Sequence, residues 1–212
     1  MYPYEDRSAP TRALNKFHPS FENKIPQIAE NPAETQPQVT EQTARAIQYV
    51  RAYLRQQREH YFAVARPLGK PHKAAMRSYF PAAPLDQVRI VELEGRRVST
   101  PSFYAEARSL GFGNLPEITH MDSVTFLDVV VFNEALTERA LFHALVHAVQ
   151  FYVLGIDRHT ELFVQQFMRT RNHFNVPLEA QAFSLTSQFM RPSQEKFSVE
   201  DQVLRWVNDG LY

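Results

Sequence analysis

The stretch Leu141-Phe142-His143-Ala144-Leu145-Val146-His147-Ala148-Val149-Gln150 constrains the fold more than any other part of the chain. It is apolar on almost every side, so as a helix it must be buried rather than laid on a surface. Its two histidines stand four residues apart, which on a helix puts both imidazoles on one face, one turn apart. That geometry suits a single metal ion. A buried imidazole needs a partner in any case, so the helix calls for polar groups from elsewhere in the chain.

With 212 residues the chain can build one sizeable core. The 23 basic residues balance the 23 acidic ones, so no basic excess favours nucleic acid or an anionic membrane. Absence of cysteine excludes disulfides, thiolate zinc sites and cysteine nucleophiles. Any zinc must therefore be held by His, Asp or Glu. The opening Met1-Tyr2-Pro3-Tyr4-Glu5-Asp6-Arg7 has neither a basic n-region nor an apolar h-region, so no signal peptide is expected. No apolar run approaching the ~20 residues of a membrane span is expected either, and the reading is of a soluble, cytoplasmic chain.

Residues 1–37 carry six prolines and few periodic apolar positions. They read as an extended arm, pinned by Phe17, Phe21 and Ile25, or as disorder. A single domain is expected over residues 38–212. Thr40 caps a long helix that runs towards Arg66-Pro67, with Arg45, Arg51, Arg55 and Arg58 on a solvated face. The proline-bearing segment 67–86 reads as loop with a short helix near Ala74–Tyr79. Gln87–Leu93 alternates as a strand, Glu94–Arg97 turns, and Phe103–Leu110 suits a short helix. Ser123–Phe132, rich in β-branched and aromatic residues, is the strongest strand signal.

From Thr137 onward the chain is helical. Thr137 is the expected N-cap of the histidine helix and Gly155 its end. A second helix covers Arg158–Thr170, and a third starts at Pro177 and runs to Met190. Ser198 and Asp201 make a capping pair for a last one. A tetrahedral site with one open position requires a third ligand, and Glu179, in Pro177-Leu178-Glu179-Ala180, supplies a carboxylate from another helix. Glu161 is the alternative. His159 reads as a surface residue at a helix start. His120 and Tyr152 could donate to an oxyanion but read more readily as packing or surface residues.

The strand signal, the paired histidines and the downstream Glu179 together resemble the zincin metallopeptidases, most closely the gluzincin type, over roughly residues 85–190. The resemblance implies an α+β zincin-like fold: a small mixed sheet, then a mostly helical C-terminal half carrying the metal-site helix. It implies zinc bound by His143, His147 and Glu179, with a peptide or protein substrate aligned on the strand that precedes the helix. The chain departs from the His-Glu-x-x-His pattern at one position, where Ala144 replaces the glutamate general base. That glutamate is not a ligand, so metal binding is expected to survive while the proton shuttle is lost. The expected protein is a metallopeptidase-like chain with weak or absent hydrolysis. The alternatives are a non-catalytic peptide-binding or scaffold module, and a metal-free helical interaction protein that docks through the arginine-rich 40–66 helix.

Overall fold

The structure, a computed structural model, describes residues 41–109, 111–191 and 195–212. The proline-rich segment and the Thr40 cap fall outside them. The fold is α+β, with a small four-stranded mixed sheet followed by a mostly helical second half. Helix α1 spans Glu41–Phe62. Strand β1, Arg66–Pro67, follows it, where the sequence suggested the helix's last turn. Proline cannot continue a helix, and the sheet edge tolerates it. Short helices α2 (Lys70–Met76) and α3 (Ala82–Gln87) fill the proline-bearing segment, one more helix than expected. Strand β2 is Arg89–Glu92 and helix α4 is Tyr104–Ser109.

Ser123–Phe132 is not one strand but two: β3, Ser123–Phe126, and β4, Val129–Phe132, pair antiparallel with Phe126 opposite Val129. The turn is hard to foresee because Leu127 takes a left-handed φ of 61°, a conformation that L-residues rarely adopt. Asp128 beside it is gripped by Arg58 of α1 through two 2.8 Å bonds, Nε and Nη2 each donating to one carboxylate oxygen. Arg58 is thus no part of a solvated arginine face. Arg51 likewise reaches across, 2.8 Å from Asp157.

The sheet order is β1-β2-β4-β3, with β2 and β4 parallel and the two outer pairs antiparallel. Strand periodicity of two splits β4 between two cores. Val129 and Val131 face Phe126 and Tyr61, under α1, whereas Val130 and Phe132 face the main core. That main core is organised by helix α5, Glu138–Thr170. Thr137 caps α5 as expected, its Oγ1 accepting from the Ala140 N–H at 3.1 Å. Phe142 of α5 stacks on Phe189 at 4.2 Å between ring centroids and meets Tyr79, Phe80 and Phe197 edge-on.

At Gly155 the backbone leaves helical geometry, with φ 70° and ψ 164°, and α5 bends sharply before continuing. Glycine meets such a backbone at little cost. Helix α6, Pro177–Phe189, starts on its proline as expected, and α7, Val199–Asn208, is capped by Ser198 accepting from the Asp201 N–H. Contrary to the reading that no segment is apolar enough, α5 has the length and composition of a membrane span. It is the core helix of this fold, however, and 78% of its most apolar window is buried in the protein itself.

Candidate metal centre

One face of α5 carries His143 and His147, and α6 brings Glu179 against them from its first turn. His143 Nε2 and His147 Nε2 stand 3.2 Å apart. Glu179 Oε2 is 3.4 Å from His147 Nε2 and 3.8 Å from His143 Nε2. A tetrahedral ion with bonds of about 2.0–2.1 Å has its ligand atoms about 3.3 Å apart, so this triangle has the right edges. Among the described residues these three form the only such His and carboxylate group. Glu161, the alternative third ligand, is elsewhere, paired with Arg158 and accepting from Gln165.

The hydrogen-bond network around the histidines decides where their protons are. Gln150 is fully buried, and its Nε2 donates to Leu178 O at 2.9 Å and Gln181 Oε1 at 3.0 Å. A backbone carbonyl only accepts, so the Gln150 amide cannot be turned round, and its Oε1 faces His147 Nδ1 at 2.8 Å. His147 Nδ1 must therefore carry a proton. Thr186 spends its one hydroxyl proton on Ala182 O at 2.7 Å, so its Oγ1 can only accept from His143 Nδ1, 3.3 Å away. Neutral imidazoles so arranged turn both Nε2 lone pairs into the same small space, beside a carboxylate. Three potential ligand atoms converge there, and a metal ion, or in its place a proton on His147 Nε2, satisfies them. The residues fit a metal ion.

The charges agree with this arrangement. Burial, and then His147, push the His143 pKa down to about 3. Burial also works against a charged His147, but the Glu179 carboxylate and the Gln150 contact outweigh it and raise the His147 pKa. Burial would raise Glu179; the two histidines override it and bring Glu179 down to about 2. Without a metal, Glu179 thus favours a proton on His147, beside a neutral His143.

The network extends outward. Gln181 is buried, its Oε1 also accepts from the Tyr212 hydroxyl, and its Nε2 donates to Gln202 O at 3.2 Å. None of Gln150, Gln181 and Thr186 was singled out from sequence. The available signal was polar residues interrupting otherwise apolar helical faces. Comparisons of this chain with family models, curated proteins and solved structures find no match. Its chemistry rests on its own geometry.

The metal-ligand group lies in the wall of a cavity of about 1190 Å³. Edge strand β3 lines one side, α1 and the segment around α4 another, and both halves of α5 with α6 the rest. Asn133 ties Val98, Ile118 and Met121 together, its amide donating to Ile118 O and Met121 O while Oδ1 accepts from the Val98 N–H. One expectation from the sequence changes here. His159 is no surface residue: it is 7% exposed, lines the cavity, and stacks on Phe151 at 3.7 Å, because the Gly155 bend folds it back. Tyr152 is core, whereas His120 is exposed at the cavity rim. Ala144 is buried, and its carbonyl accepts from Thr125 Oγ1 of β3 at 3.2 Å.

Proposed function

We propose that this protein binds a zinc-type divalent cation through His143, His147 and Glu179 in a gluzincin-like arrangement. On this reading it hydrolyses peptides weakly or not at all, because Ala144 stands where the general base is needed. The observation that carries the metal is the approach of two imidazole Nε2 atoms to 3.2 Å beside the Glu179 carboxylate, each ring held by a hydrogen bond on its far side. Zinc ligands with a hydrogen-bonded second nitrogen are the rule in metal sites.

A zinc ion held by three protein ligands would offer an open position and Lewis acidity towards a carbonyl or carboxylate oxygen. The chain's own residues would do the rest. Gln150 and Thr186 orient the two imidazoles, and β3, whose outer edge pairs with no strand among the described residues, is available to an extended ligand. A peptide or protein segment beside β3 is what the zincin resemblance implies. Ala144 offers neither acid nor base to a reaction there.

Elemental analysis of purified protein equilibrated with zinc tests the reading. One zinc per chain, lost in His143→Ala, is the expected result. Substoichiometric metal that is indifferent to that substitution sinks it.

A further inference from the structure

The cavity beside the metal centre holds a second, separate polar feature. His159 and Thr160 are adjacent on the far half of α5, both line the cavity, and both are buried, at 7% and 0% exposure. Neither His159 ring nitrogen has a hydrogen-bond partner, and neither does Thr160 Oγ1. Leaving such groups unpaired is costly, and most buried polar atoms in folded proteins are satisfied. Their surroundings are otherwise apolar: Phe151 under the His159 ring, with Phe163, Val164, Phe167 and Phe126 in the same cavity wall. Burial holds the His159 ring neutral, with its pKa down to about 3, so it is suited to an uncharged hydrogen-bonding group rather than an anion.

We propose that His159 and Thr160 form a specificity subsite for a small amphiphile: an anionic oxygen head at the metal, a neutral amide at His159 and Thr160, and an apolar chain among the aromatic rings. The simplest compounds with all three parts are N-acylated amino acids, free or at the end of a peptide. The head-group part rests on the metal reading above; the His159–Thr160 part stands on its own orphaned atoms. An apolar site with a few convergent polar groups is the general form of a small-molecule pocket, and about 1190 Å³ is ample for a twelve-carbon chain.

The test is calorimetric titration of the full chain loaded with one equivalent of zinc. The probes are N-dodecanoylglycine, N-dodecanoyl-triglycine, dodecanoic acid and N-acetylglycine. N-dodecanoylglycine should bind about tenfold more tightly than dodecanoic acid, one buried hydrogen bond's worth, and N-acetylglycine far more weakly than either. Tighter binding of the triglycine compound assigns the ligand to acylated peptide ends; weaker binding assigns it to free acyl amino acids. His159→Phe, which keeps a ring on Phe151, and the near-isosteric Thr160→Val should erase the amide preference while zinc content stays at one per chain. Equal affinity for the amide and the plain acid overturns the subsite, as does a preference that survives in both variants. Zinc-free protein that binds N-dodecanoylglycine as tightly as the loaded form overturns the metal's role and leaves the subsite supported.

Discussion

Gln150 Oε1 lies 2.8 Å from His147 Nδ1, and that contact decides which way the His147 lone pair faces. The first prediction follows from it. Gln150→Leu keeps the helix apolar but removes the acceptor, so zinc affinity should fall about 10–100-fold, the usual effect of losing such a partner. Competition with a chromophoric chelator measures it. His143→Ala, which removes a ligand outright, should lose more than Gln150→Leu.

Zinc binding should weaken with acidification. Glu179 raises the His147 pKa above the ordinary value of 6.5, so in the metal-free protein His147 holds a proton that the ion must displace. Below that raised value, affinity should drop about tenfold per pH unit, with one proton released per ion bound. His143, neutral down to about 3, adds nothing to this slope above pH 4. An affinity that stays flat between pH 8 and 5.5 contradicts the assignment.

The stability of the metal-free fold should have an acid limb. His143 and His159 are both depressed from 6.5 to about 3. The unfolded chain therefore binds more protons than the folded one in that window, and stability present above pH 6.5 is lost as pH falls towards 3. Glu179, brought from 4.5 to about 2, adds a further loss below 4.5. His147 runs the other way: its contribution is complete below 6.5 and fades as pH rises through its raised value. His159→Phe should remove one of the losses, sparing on the order of 2 kcal/mol of the drop between pH 7 and pH 4.5. Urea midpoints at the two pH values read it directly.

On the peptidase reading proposed above, a carboxylate at position 144 should confer hydrolysis. Ala144→Glu in zinc-loaded protein should raise hydrolysis of a fluorogenic peptide mixture by about 10²–10⁴ over the parent, the range for general acid–base assistance. Ala144 is buried beside the core, so some loss of thermal stability should accompany the change. A folded, zinc-bound variant with no gain in rate would falsify the peptidase kinship and leave a binding protein.

The β3–β4 turn depends on a distant charge. Asp128→Ala removes the carboxylate that accepts two part-buried bonds from Arg58 and ties α1 to the turn. The cost should be about 2 kcal/mol in chemical denaturation, with zinc stoichiometry unchanged.

What could be read from sequence was whatever local periodicity encodes. The α5 cap at Thr137, the α6 start at Pro177 and the His143–His147 face all follow from short-range rules, and Glu179 follows from needing one more carboxylate. What could not be read is set by long-range contacts. The Leu127 turn has no glycine or asparagine to announce it and is held by Arg58, seventy residues earlier. His159 looks like a helix-start residue until Gly155 bends the chain and folds its ring onto Phe151. Gln150 and Gln181 come from different helices and acquire meaning only when α5 and α6 pack together.

The outer end of that glutamine network has a practical consequence. Gln150 binds Gln181, Gln181 accepts from the Tyr212 hydroxyl, and Tyr212 lies 5.5 Å from the half-buried ring of Trp206, the one tryptophan in the chain. Three polar side chains thus run without a break from His147 to the neighbour of a single natural fluorophore. Its emission is therefore the signal to follow when the centre is filled, with no dye and no substrate added.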